Sequence, residues 1–132
     1  MGVINKMKNL MFSVAIFLTM VITIFLSTEY LSKVCLDLTK TSSTLEDQIT
    51  NEKWKEAYDG SLKFAIKWKD YCSKLSVFVD HEEMDNIDHE LWQLTQYTKC
   101  ENKDESLAAI HVVKFFIIHI NNMEKVSFQN IF

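Results

Sequence analysis

Residues 9–28 read Asn9-Leu10-Met11-Phe12-Ser13-Val14-Ala15-Ile16-Phe17-Leu18-Thr19-Met20-Val21-Ile22-Thr23-Ile24-Phe25-Leu26-Ser27-Thr28, twenty residues without a charge. At about 1.5 Å rise per residue, a helix of this length spans about 30 Å, the thickness of a bilayer's hydrocarbon core. Apolar side chains fall on every face of such a helix, as lipid on all sides requires and as the surface helix of a soluble domain does not show. The segment is therefore expected to be a transmembrane anchor. A cleaved signal peptide is the competing reading, since Lys6 and Lys8 precede the run. Against it, the run is longer than a signal core, and cutting after Ser27 would put Phe25 where a small residue is needed. A lipoprotein signal does not fit either, because Cys35 lies past the apolar run and follows Ser32-Lys33-Val34.

Lys6 and Lys8 favour a cytoplasmic N-terminal side, whereas Lys33 and Lys40 on the other side alternate with Glu29 and Asp37. The expected organisation is a short cytoplasmic tail over 1–8, the anchor over 9–28 and an extracytoplasmic domain over 29–132. That division explains the mean hydropathy of −0.04 as an average over a lipid-facing rod and a polar-faced domain. With 132 residues there is room for one domain and an anchor, not for two lobes around a cleft. No proline and only two glycines disfavour hairpin-rich sheets and Gly-rich nucleotide loops, which leaves long helices. All 14 basic residues are lysine, against 18 acidic ones, for a net charge of −4. A nucleic-acid reader would concentrate arginine and lysine on one face, so no nucleic-acid partner is expected.

Beyond the anchor the pattern becomes periodic. Leu31, Val34, Cys35, Leu38, Leu45 and Ile49 recur at helical spacing, so the anchor helix is expected to continue outward to a break near Thr50-Asn51. Asn51, with Glu52 beside it, is a candidate N-cap for a second helix from Trp54 to Val79. Its stripe is Trp54, Ala57, Tyr58, Ser61, Leu62, Ala65, Trp68, Cys72, Leu75 and Val79, with Trp54 and Trp68 read as core. Asp80 to Glu90 interrupts the stripe, and Asp85 is read as the cap of a third helix carrying Leu91, Leu94 and Tyr97, with Trp92 on a neighbouring face. Asn102 and Glu105 form an Asn-x-x-Glu cap for the last helix, whose apolar stretch Leu107 to Ile120 has strand propensity but helical length and capping. That helix is expected to be buried against the other three. Val126 to Phe132 is too short for another helix and is expected to fold its aromatics back onto the bundle. The fold class is all-α: an N-terminal transmembrane helix followed by an antiparallel three- to four-helix bundle.

The run His81-Glu82-Glu83-Met84-Asp85-Asn86-Ile87-Asp88, with Trp54 and Trp68 before it and the ending Val126-Ser127-Phe128-Gln129-Asn130-Ile131-Phe132, resembles the uncharacterised bacterial family called domain of unknown function 4363. The similarity covers nearly the whole chain. It implies a small single-pass membrane protein of clostridial or bacillar bacteria with a helical ectodomain, in a family often encoded beside another small membrane protein. Members commonly carry a proline near the end of the last helix, where this chain has Asn121-Asn122.

An up-down-up-down bundle would bring His81, Glu82, Asp85 and His119 to its membrane-proximal end. Two imidazoles and two carboxylates are an acceptable ligand set for zinc or another divalent metal, although no His-Glu-x-x-His, Cys-x-x-Cys or EF-hand pattern is present. The blander reading has the histidines packing at helix ends while the acids cap the third helix. His89 and His111 lack an acid of fixed geometry and read as surface or half-buried structural histidines. Cys35, Cys72 and Cys100 are too few and too widely spaced for a disulfide framework; one Cys72–Cys100 bridge or buried free thiols both fit. With no nucleophile elbow, motif-linked base or cofactor signature, neither an enzyme nor a cofactor is expected. The expected role is a membrane-anchored interaction or accessory module of the bacterial cell or spore membrane, touching lipid through its anchor and another membrane protein through its domain. The alternative is an extracytoplasmic sensor or binding domain using the His81 and His119 end.

Overall fold

In the computed structural model, which describes residues 1–77 and 79–131 apart from the side chains at 127, 128 and 131, helix α1 runs unbroken from Gly2 to Thr50. It is followed by α2 (Trp54–Leu75), α3 (His81–Lys99) and α4 (Lys103–Ile131), with no strand among the described residues. Each helix packs on the next, and α4 closes against α1, giving an all-α, antiparallel up-down-up-down bundle.

The α1 stripe emerges as expected: Leu31, Val34, Cys35, Leu38, Leu45 and Ile49 are buried, with Ser42 among them. Ser42 bonds the Leu38 carbonyl at 2.8 Å, so its hydroxyl enters the core without an unmet partner. Below residue 21, α1 is exposed on all sides. Between these regions Val21, Ile24, Ser27 and Thr28 are half-buried, so the packed stripe begins inside the uncharged segment.

On α2 the inward face is rotated from the expected one. Ala57, Ser61, Phe64, Trp68 and Leu75 are buried, whereas Leu62 is 39 % exposed and Ala65 only half-buried. Phe64 outranks Leu62 because the larger ring buries more area when it lies in line with Ser61 and Trp68 at spacings of three and four. Trp68 is core as expected, and Trp54 is half-buried at its edge. The α2 helix also ends four residues before the expected Val79. Gly60 marks its close approach to α1: a Cβ there would lie 3.0 Å from Gln48 Oε1 and 3.2 Å from Leu45 Cδ1.

Two helix caps correct the sequence expectation. Asn51 is the C-cap of α1, not the N-cap of α2, and its Nδ2 donates back to the Asp47 carbonyl at 2.8 Å. The chain turns through Glu52, at φ 54°, while the Glu52 and Lys53 amides donate to the Ile49 and Gln48 carbonyls. The α3 to α4 connection repeats the device, with Glu101 at φ 56° and bonds from the Glu101 and Asn102 amides to Thr98 and Tyr97. Both are Schellman endings with glutamate in the left-handed position that glycine usually takes. Helix α3 is capped by Asp80, which accepts from the Glu82 amide at 2.9 Å, five residues earlier than the expected Asp85. The Asn102 cap is as expected, accepting from the Glu105 amide at 3.2 Å.

Helix α4 is not buried against all three partners. It packs between α1 and α3, diagonally across from α2, burying Ala109, Ile110, Val113, Ile117 and Ile120. Val112, Phe115 and Ile118 point outward. The Val126-to-Phe132 stretch is no separate tail either: through Ile131 it continues α4, with no stop at Asn121-Asn122. The Phe128 side chain and Phe132 lie outside the described residues. Ser32 donates to Asn121 Oδ1 at 3.3 Å, so the last ten residues of α4 run level with α1 from about residue 31 down to about residue 22, both helices rising equally per residue.

Candidate functional site

Polar links fasten the helices pairwise. Between α1 and α2, Asp37 accepts from Lys67 Nζ at 3.2 Å and from Tyr71 Oη at 2.9 Å, and Lys67 also reaches Thr41 Oγ1 at 3.1 Å. These donors, Lys67 first, hold the Asp37 carboxyl below its ordinary pKa, and the bond to Asp37 in turn pushes the Tyr71 hydroxyl up. Between α1 and α4, Glu46 pairs with Lys114 and, at 2.8 Å, with His111, and both partners lower its pKa. His111 is thus a surface histidine with a fixed acid partner, contributed by a helix that neighbouring-residue patterns could not identify. Within the core the Ser61 and Thr98 hydroxyls meet at 3.2 Å between α2 and α3.

The start of α3 and the lower part of α4 share one end of the bundle, but they do not assemble His81, Glu82, Asp85 and His119. His81, Glu82 and Asp85 are exposed. Because the helix begins at Asp80, the inward positions of its first turns are Met84 and Ile87, leaving 81, 82 and 85 on the solvent side. His119 instead faces Glu83, with Nε2 3.8 Å from Oε1, and its ring stacks on Phe115 at 5.9 Å between centroids. The other Glu83 oxygen, Oε2, is buried without a hydrogen-bond partner. Two ligands fall short of the three or four that a zinc site uses, and among the described residues no group of three metal-ligating side chains comes together. Below this contact, His119, Asn122, Met123, Val126 and Asn130 line a shallow cleft of about 450 Å³. Burial raises the Glu124 pKa at the same end. His89, the remaining histidine, is exposed on α3.

All three cysteines are free. Cys72 and Cys100 lie at opposite ends of the bundle, and the Cys72 Sγ instead contacts Met84 Sδ at 3.5 Å. Burial pushes the Cys35 thiol up to about 11 and, with Asp88 and Asp85 nearby, raises Cys72 as well.

The most partner-like surface is a groove between α2 and α3 of about 460 Å³. Leu62 and Ile66 line it from α2 and Trp92 from α3, over the buried Leu91 and Thr95. Trp92 is 63 % exposed and Ile66 71 %. Lys69 and Asp88 close its lower end. Sequence spacing put Trp92 off the core face but gave no sign of Ile66, because its partner four residues earlier, Leu62, was assigned to the core stripe. A second groove of similar size, between α1 and α2 around Gly60, is lined mainly by polar and charged groups including Thr41, Gln48, Asp59 and Lys63.

The family model described as Domain of unknown function (DUF4363) matches residues 25–131. No curated protein and no solved structure matches.

Proposed function

From the premise that this chain belongs to the DUF4363 family, we propose that it is a membrane-anchored, non-enzymatic interaction module that presents a four-helix bundle outside the cytoplasm to another membrane protein. The observation that carries this reading is α1. Its uncharged stretch is long and apolar enough to cross a bilayer, residues 9–20 of it are exposed on every side, and the same helix continues into the bundle core. A soluble protein would leave those side chains in water at a large hydrophobic cost. The bundle adds an exposed Trp92 and Ile66 groove suited to a partner. The sensor reading would need the His81 and His119 end to converge on a ligand, and among the described residues His119 pairs with one acid, Glu83, while His81 is exposed.

Two measurements test the proposal. The chain should stay in the membrane pellet after alkaline carbonate washing. Cys100, exposed at the end of the bundle away from the anchor, should react with a membrane-impermeant maleimide in intact cells. Recovery in the soluble fraction sinks the anchor, and labelling only after lysis sinks the orientation.

A further inference from the structure

We propose that the α2/α3 groove is a homodimer interface, in which a second copy of this chain, parallel in the same membrane, seats its own groove face to face about a two-fold axis along the membrane normal. The proposal rests on the anchored reading above, because the anchor is what makes neighbouring copies parallel. An isologous contact brings one surface onto itself, and an axis along the normal preserves height, so α2 of one copy meets α3 of the other at the same level.

The groove has the charge arrangement this symmetry demands. Ser61 lies beside Thr98 and Cys72 beside Met84, which sets Lys69 on α2 level with Asp88 on α3. Both are exposed, and among the described residues neither forms an ion pair within its own chain. Rotation about the axis places each Lys69 opposite the other copy's Asp88, twice over. By the same register, Ile66 of each copy meets Trp92 of the other, a rigid aromatic against an aliphatic wall with charges at the rim, as in stable interfaces. An antiparallel encounter would set Lys69 and Asp88 against the upper end of the groove, at Tyr58 and Gln96, where no opposite charge lines it.

The test uses the full chain reconstituted in lipid nanodiscs or detergent, with the monomer–dimer constant read by sedimentation or single-molecule photobleaching. Wild type should dimerise, and Trp92→Ala should weaken the dimer about 30-fold or more, as loss of an anchor residue does. Lys69→Glu and Asp88→Lys should each weaken it about tenfold by facing like charges, and the double variant Lys69→Glu/Asp88→Lys should return to within about threefold of wild type. All three positions carry exposed side chains, so far-UV circular dichroism of the four variants should be unchanged. A monomeric wild type overturns the proposal, including one that co-purifies with a different membrane protein. So does a dimer insensitive to the single changes, or a double variant weaker than either single one. Failure of the anchored reading shows separately, as chain recovered in the soluble fraction.

Discussion

The uncharged stretch of α1 and the middle of α4 pass the same test of length and apolarity for crossing a membrane, yet they meet different surroundings. None of the α1 span is buried by the rest of the chain, whereas a third of the α4 span is, along one face set by Ile110, Val113, Ile117 and Ile120. The difference lies in their neighbours. Helix α4 is flanked by acid-rich first-turn residues Asp104 and Glu105 and carries Lys114 paired to Glu46, so it belongs beside α1 and α3. Residues 9–20 of α1 are exposed on every side, the surface that the proposed anchor would give to lipid. Apolar content therefore locates a helix that must be covered without saying what covers it.

The largest test of this contrast is a pair of truncations. Ile110→Ala should lower the stability of the bundle by about 2–5 kcal/mol, through lost burial and the cavity left behind. Ile16→Ala, on the exposed part of α1, should change the same thermal unfolding transition by less than about 0.5 kcal/mol. Equal effects would break the distinction. Thiol labelling sharpens it within α1 itself. Cys35, buried and pushed up to about 11, should react with maleimide at pH 7 at least about a hundredfold more slowly than Cys100, and reach the same rate once the bundle is unfolded.

Acid should loosen the seams between α1 and its neighbours. Asp37 and Glu46 both sit below their ordinary pKa values of 3.8 and 4.5 in the folded chain. Their stabilisation is then present above those ordinary values and is lost as pH falls through the lower folded ones. The thermal midpoint should drop below about pH 4, and Glu46→Gln should lose about 1 kcal/mol at pH 7 while flattening part of the acid limb. A midpoint unchanged between pH 7 and pH 3 would remove these pairs from the account. The smallest expected effect is a gain. Glu101→Gly should relieve the left-handed glutamate just ahead of α4 and stabilise the chain by about 0.5–1 kcal/mol in denaturant titration, less if the freer unfolded chain offsets it.

These outcomes bear on what a reader of the sequence could see. The α1 stripe, Trp68 in the core and the Asn102 cap were legible because each rests on local spacing. The break near Thr50-Asn51 was legible too, but not its form, because the chain stops α1 and α3 with Glu52 and Glu101 where the usual marker is glycine. Asn51 was therefore read as an N-cap rather than as the C-cap of α1, and a cap at Asp85 instead of Asp80 left residues 81–84 outside α3, hiding that Glu83 rather than Glu82 or Asp85 faces His119. On α2, choosing Leu62 over Phe64 turned the helix by about half a face and hid the groove, since Leu62 and Ile66 then looked like core and surface rather than one wall.

The unbroken course of α1 has a mechanical consequence. Proline is absent from the chain, and no glycine lies between Gly2 and Gly60, so nothing in the 49-residue helix offers a ready hinge. A bilayer that thins or thickens changes the tilt of its spanning helices. With a stiff helix, a tilt of about ten degrees pivoting near Thr28 carries Thr50 sideways by about 6 Å. If α1 is the anchor proposed above, span and bundle would form a lever, and the far loops would move in proportion to the thickness of the membrane below.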